Sequence, residues 1–263
     1  MTEAREWQTP SHGIFFKVRK TLYRGRSKFQ KIELVDNEAF GRILLLDGLV
    51  QTTDRDEFFY HEMLVHPALT LHPRPKDVLI IGGGDGGALR EVLRHKVRKG
   101  WLCEIDGRVI DVCKRHYPWL RKDFEDPRAE LVVADGNEFI RSTKDRFDVI
   151  LVDSSDPVGP STILHQKAFY ASLKAILRPG GIIAAQAGAL LYHQDQHREK
   201  YRFLKTMFRQ TRFYLCPVPT YPGGMWCFVF LSEDLDPLAP GLRKPVGGLK
   251  YYNPEIHRAA FAL

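Results

Sequence analysis

Between Asp77 and Gln186 the chain alternates short apolar runs with amphipathic stretches. The runs are 77–81, 100–105, 130–134, 147–152 and 181–186, each five or six residues long. Continuous apolar runs of that length predict strands buried on both faces of a parallel sheet. Between them, residues 86–96, 107–116, 136–142 and 164–176 read as helices, the first with apolar positions at Leu89, Val92 and Leu93. Strand and helix in regular alternation predict an α/β fold with a doubly wound parallel sheet.

Upstream the period changes. Residues 13–52 read as antiparallel β, with strands at 14–18, 29–35, 41–46 and 50–52 and turns at Asp36-Asn37 and Asp47-Gly48. A helix follows over 60–71, with Pro67 as an expected interruption. The pattern divides the chain into a small N-terminal β domain, residues 1–58, and a larger α/β domain, residues 59–263. The tail 249–263 has apolar residues without a clear period.

Six residues in a row, Gly82-Gly83-Gly84-Asp85-Gly86-Gly87, join the first parallel strand to its helix. Glycines here let the backbone approach a nucleotide-like ligand closely. Glu104 and Asp106 end the next strand about 20 residues later, where a carboxylate can accept hydrogen bonds from two ribose hydroxyls. Asp85 would repel a pyrophosphate, so the loop points away from nicotinamide dinucleotides and toward an adenosyl sulfonium. Ligands of such sheets bind beyond the carboxyl ends of the strands. The polar residues there are Asp85, Glu104, Asp106, Asp135, Asp153 and Gln186, and this acid-rich rim suits a cationic ligand. An N-cap is the structural alternative for any one acid, Asp135 above all.

Composition adds limits. The chain has 263 residues, 44% of them hydrophobic and 27% charged, an ordinary globular balance. No apolar stretch approaches the roughly 20 residues that cross a bilayer, and no signal-peptide core opens the chain, so a cytoplasmic protein without membrane contact is expected. The four cysteines form no C-x-x-C pair, so no metal site is expected. Cys103 and Cys227 lie in apolar runs and read as buried. The net charge of +7 comes partly from clusters at Lys17–Arg26 and Arg94–Lys99. Without a nucleic-acid module beside them, they read as solvated faces rather than a nucleic-acid site.

The motifs together resemble the polyamine aminopropyltransferases, of which spermidine synthase is the best known. The resemblance rests on Ser27-Lys28-Phe29-Gln30, Leu46-Asp47-Gly48, Asp56-Glu57-Phe58-Phe59-Tyr60-His61-Glu62-Met63 and the glycine loop with Arg90-Glu91-Val92. It continues through Glu104-Ile105-Asp106, Asp135-Gly136, Asp153-Ser154-Ser155-Asp156-Pro157, Val218-Pro219-Thr220-Tyr221-Pro222 and Tyr251-Tyr252-Asn253-Pro254-Glu255-Ile256-His257.

It implies a Rossmann-like, methyltransferase-type catalytic domain preceded by a small antiparallel β domain, and transfer of an aminopropyl group from decarboxylated S-adenosylmethionine to an amine such as putrescine, in a homodimer or homotetramer. The nucleoside donor is a co-substrate, and no cofactor is implied. Gln30, Gln51, His61, Gly82, Gly84, Asp85, Glu104, Asp135, Gly136 and Asp153 fall at the donor by this resemblance. Glu104 would hold the ribose hydroxyls, Asp135 the adenine amino group and Asp85 the donor's ammonium. Tyr60, Asp153, Asp156, Gln186 and Tyr221 would line the acceptor channel, with Asp153 taking the proton and Asp156 and Tyr60 in support. Some relatives carry an acid just after Gln186 for the far amine. This chain reads Ala187-Gly188-Ala189-Leu190-Leu191 there, with no acid until Asp195. The acceptor's length is therefore open. Other long-amine synthases of the same chemistry, a methyltransferase and a non-catalytic binding protein on the same fold remain the alternatives.

Overall fold

The structure is a computed structural model that describes residues 2–154, 164 and 166–262. The chain opens with six strands: β1 (Thr2–Thr9), β2 (His12–Val18), β3 (Lys20–Arg26), β4 (Lys31–Asn37), β5 (Gly41–Leu46) and β6 (Leu49–Thr53). β1 and β2 form a separate antiparallel hairpin, and β3 to β6 form a four-stranded meander. β1 was not foreseen. Its sequence is polar and Glu6 is its one fully buried position, so it shows no alternation of apolar residues.

Helix α1 (Glu57–Leu71) then leads into β7 (Asp77–Gly82), α2 (Gly87–Leu93), β8 (Lys99–Glu104), α3 (Gly107–His116), α4 (Pro118–Phe124), β9 (Ala129–Val133), α5 (Gly136–Ser142) and β10 (Phe147–Asp153). The chain closes with α6 (Lys167–Ile176), β11 (Leu177–Ala189), α7 (Gln194–Lys205), β12 (Gln210–Pro217), β13 (Met225–Ser232) and α8 (Pro254–Ala260). A seven-stranded sheet runs in the order β12-β13-β11-β10-β7-β8-β9. β9, β8, β7, β10 and β11 are mutually parallel, while β13 and β12 pair antiparallel at the far edge. The predicted doubly wound core is thus present, with an antiparallel extension. The 58/59 boundary drawn on the sequence falls within the first turn of α1.

α1 passes through Pro67 without a break, contrary to the interruption expected from the sequence. Proline removes the amide that would bond the carbonyl four residues earlier. That carbonyl belongs to Met63, and the Tyr214 hydroxyl donates to it instead at 3.0 Å. Every residue of α1 from Tyr60 onward is buried. The C-terminal segment is fastened to the same helix. Buried Glu62 accepts the amides of Lys250, Tyr251 and Tyr252 at 2.8–2.9 Å. Two apolar cores fill the opposite faces of the large sheet, and a third lies beneath β2 and the meander. All four cysteines are buried and free. No helix among the described residues is long and apolar enough to cross a membrane.

Candidate active site

β7 and β10 are neighbours in the sheet, and their carboxyl ends meet with Gly82 opposite Asp153. Strand order diverges here, toward β8 on one side and β11 on the other. Open α/β sheets carry their ligand crevice at this point. A cavity of about 230 Å³ lies there. Its walls come from all three sheets: Glu6 from the hairpin, Gln30, Val50 and Gln51 from the meander, and the glycine turn with Glu104, Asp135 and Asp153 from the large sheet.

The glycine turn is shaped by its neighbours. Gly82 sits at φ +82°, and a Cβ there would fall 2.2 Å from the Asp153 carbonyl oxygen. No side chain fits that approach. The amide of Gly83 donates to the same carbonyl at 2.9 Å, tying turn to strand end. Asp85 Oδ1 accepts the Gly87 amide at 2.7 Å, at the start of α2. The protein's own carboxylate therefore occupies the position where a dinucleotide fold receives a phosphate.

Glu104 closes the next strand. Its Oε2 accepts the Gly84 amide at 3.1 Å and its Oε1 the Asp106 amide at 2.9 Å. Burial raises its pKa to about 7, against the pull of those two amides. Asp106, which the sequence placed on the acidic rim, is not in the cavity wall. It caps α3 through the Arg108 amide and takes Ser27 Oγ at 2.7 Å and Gln30 Nε2 at 3.0 Å, so it joins the meander to the core. Asp135 is in the wall and is also an N-cap, its Oδ1 accepting the amides of Asn137 and Glu138. Gly136 fits closely behind it, since a Cβ would meet Ile81 Cγ2 at 2.6 Å.

On the opposite side, Tyr60 donates to Asp153 Oδ1 at 2.8 Å. Asp153 Oδ2 is buried and has no hydrogen bond among the described residues. Burial, then the nearby Asp85 carboxylate, raises the Asp153 pKa to about 6. Burial and Asp153 hold the Tyr60 hydroxyl well above its usual range, so it stays a neutral donor. Tyr221 packs against Tyr60 and Trp226 and donates to the Gln51 carbonyl at 2.5 Å.

Of the residues that the resemblance assigns to donor or acceptor, Gln186 is, among the described residues, the one outside the cavity wall. Its side-chain amide turns to the Ser154 carbonyl at 2.8 Å and holds the end of β10 instead. Asp156 lies outside the described residues, as does most of the loop around it.

The wall also holds residues that no motif marked, Trp226 and Glu6 among them. Trp226 lines the cavity with its indole N–H unpartnered among the described residues. Glu6 supplies an acid that the segment after Gln186 lacks. It is buried, and its Oε2 accepts the Val50 amide at 2.7 Å. A single acid on a polar strand gives no sequence signal of facing a pocket.

His61, Asp85 and Asp153 present donor atoms within 4.8 Å of one another, close enough to surround a cation. His61 Nδ1 lies 2.6 Å from Glu57 Oε2 and its Nε2 lies 3.5 Å from Asp85 Oδ1. A carboxylate at each nitrogen favours the imidazolium form. Burial opposes that charge, but Asp85 and Glu57 outweigh it and hold the pKa well above the ordinary value. A protonated ring offers a metal no lone pair, and Asp85 and Asp153 can then hold an organic cation.

Comparison with known proteins shows the family. Residues 57–238 match the model of the spermine/spermidine synthase domain, and residues 4–54 match the spermidine synthase tetramerisation domain. The chain belongs to the spermine/spermidine synthase family. A polyamine aminopropyltransferase of Shouchella clausii is 45% identical over 98% of this chain and 94% of its own length. The corresponding protein of Thermotoga maritima is 44% identical over 95% of this chain and 87% of its own. A crystal structure of spermidine synthase in complex with the transition-state analogue AdoDATO superposes with a TM-score of 0.94, at 42% identity, over 100% of this chain and 92% of that one. The family is one of enzymes, and the match extends over nearly the whole chain.

Proposed function

We propose that this enzyme transfers the aminopropyl group of decarboxylated S-adenosylmethionine to putrescine, giving spermidine and methylthioadenosine. The observation that carries the reading is the Asp153 carboxylate. One oxygen is fixed by Tyr60, the other is buried and unpartnered among the described residues, and Asp85 stands beside it.

The reaction is an in-line displacement. The lone pair of a neutral amine forms an N–C bond to the carbon beside the sulfonium. The C–S bond breaks, and its electron pair returns to sulfur as a neutral thioether. The product nitrogen carries an extra proton, which Asp153 takes. No oxyanion develops, so the rate comes from orientation and from presenting the amine unprotonated. A buried carboxylate with a raised pKa is matched to that proton better than an exposed one.

Asp85 supports the donor assignment. The decarboxylated donor ends in an ammonium, which Asp85 attracts, whereas intact S-adenosylmethionine adds a carboxylate that it repels. Glu104, Gln30 and Asp135 support the nucleoside half by their place in the wall, Glu104 for the ribose hydroxyls and Asp135 for the adenine amino group. The donor serves as co-substrate, and the reaction as written needs neither a metal nor a cofactor. Glu6 supports a diamine acceptor. Glu6 and Tyr221 bind the adjacent residues Val50 and Gln51, so a second carboxylate stands beside the phenols that line the acceptor side. Mass analysis of products from putrescine, cadaverine, agmatine and spermidine tests the reading. The aminopropyl adduct of putrescine is expected with the highest kcat/KM. A methylated product, or a spermidine value well above that of putrescine, overturns it.

The same reading includes a homodimer or homotetramer formed through the N-terminal sheets. Trp7 and Phe15 lie on the hairpin with 62% and 61% of their surface exposed. Light scattering is expected to give a multiple of the 30.3 kDa chain mass, and a lower multiple for Trp7→Glu with Phe15→Ser. A monomeric wild type overturns it.

A further inference from the structure

A buried chain of charge leads away from the cavity wall, and it begins at Glu57. This residue opens α1 and is not itself in the cavity wall. Its Oε2 faces His61 Nδ1 at 2.6 Å, and the Arg90 guanidinium grips both its oxygens at 2.9 and 2.8 Å. Arg90 also donates to Glu91 Oε1 at 2.7 Å. The bidentate grip fixes the plane of the Glu57 carboxylate, and through it the plane of the imidazole. Gly87 completes the mount, because a Cβ there would fall 2.2 Å from the His61 ring. The ring has one orientation, with Nε2–H aimed at Asp85.

We propose that Glu57 and Arg90 are positioning residues that hold His61 as a fixed cation beside the attacking nitrogen. The fixed charge lowers that nitrogen's affinity for a proton. This rests on the transferase reading above, which puts the reacting amine at Asp153. The proposal resolves a tension in an acid-lined site. Carboxylates that gather a polyamine also stabilise its ammonium, which is not a nucleophile. A buried positive charge beside them offsets part of that field where the amine must lose its proton.

The groups that face His61 come from several elements. Glu57 and Tyr60 lie on α1, and Asp85 lies in the glycine turn. Arg90 lies on α2, Asp153 at the end of β10, and Asp54 and Tyr117 around a small void on the other side of the ring. Burial works against the Glu57 charge, but His61 and Arg90 outweigh it and bring its pKa down to about 2. The clamp stays charged across the working range.

The test is the pH dependence of kcat at saturating donor and putrescine. In Glu57→Gln the rising limb is expected to move about one pH unit toward alkaline. The KM for putrescine is expected to hold or fall, since a repelling charge has weakened. The double variant Glu57→Gln with Arg90→Met leaves no unpaired guanidinium, and the same shift is expected. A merely structural role would raise KM or lower kcat evenly at all pH values, and an unmoved limb in a folded variant overturns the proposal. Nitrogen NMR of histidine-labelled wild-type enzyme with methylthioadenosine and putrescine bound needs no altered clamp. The His61 signal, assigned by its loss in His61→Gln, is expected to show both nitrogens protonated at pH 8, and a neutral ring there overturns it. If wild type forms no aminopropyl product at all, the transferase reading has failed. If it does and the limb is unmoved, only the cation proposal has failed.

Discussion

At the scale of single residues, two carboxylates about the same crevice have different surroundings. Asp153 is half-buried against Tyr60, with one oxygen buried and unpartnered among the described residues, whereas Asp85 accepts the Gly87 amide and faces His61. Asp153→Asn keeps the shape and removes the proposed proton acceptor. We predict a fall in kcat of about 10²- to 10⁴-fold, the usual span for a lost general base. Methylthioadenosine binding measured by calorimetry is expected to change little. Turnover near that of wild type removes Asp153 from the chemistry. For Asp85→Asn we predict weaker binding of decarboxylated S-adenosylmethionine and tighter binding of the carboxylated form. Calorimetry with both ligands reads the ratio, and an unchanged ratio rules out a charge role for Asp85.

At the scale of elements, legibility followed burial pattern. β7, β8, β10 and β11 are apolar on both faces, and their positions could be read from composition alone. β1 and α7 could not. Each is mostly polar and buries one or two side chains, Glu6 in the first and Lys200 and Leu204 in the second. The small α8 did carry a signal, Asn253 as a cap followed by Pro254, but its seven residues are too few to show a period. The same limit hid Glu6 from the site, while Glu104, Asp135 and Asp153 stood out because they end apolar strands. Asp106 shows the converse error, since a strand-end acid can serve to hold elements together. α1 was misread at Pro67 because the relief of its orphan carbonyl comes from Tyr214, about 150 residues away. We predict that Tyr214→Phe costs about 1–3 kcal/mol by leaving the Met63 carbonyl unpaired in the core. Urea denaturation gives the figure, and no loss implies that the carbonyl finds another partner.

At the scale of the whole molecule, buried ionisable groups outside the cavity make stability depend on pH. His95 hydrogen-bonds His66 at 2.8 Å, and His66 hydrogen-bonds Glu91 at 3.0 Å. Burial, then His66 and Arg243, lowers the His95 pKa to about 3. The unfolded chain takes up this proton below about pH 6.5, but the folded chain does not. The stability is whole above pH 6.5 and is lost as pH falls toward 3, by about 1.4 kcal/mol per unit. Glu104 and Asp153 act in the opposite sense, since their raised pKa values make the folded state the better proton binder below pH 7. The His95 contribution is therefore read as a difference. Between pH 6.5 and 5, His95→Gln is expected to lose less stability than wild type in matched denaturation curves. Parallel curves would show that His95 takes up its proton in the folded state.

A pocket whose walls are drawn from three sheets also sets a timetable. The large sheet can bury its apolar strands before the hairpin arrives, but the cavity is not closed until Glu6 reaches the Val50 amide and Gln30 reaches Asp106. Catalytic competence is then the last property to return on refolding. Recovery of activity is expected to trail the recovery of helical circular dichroism, and methylthioadenosine, by bridging the sheets, is expected to shorten the lag.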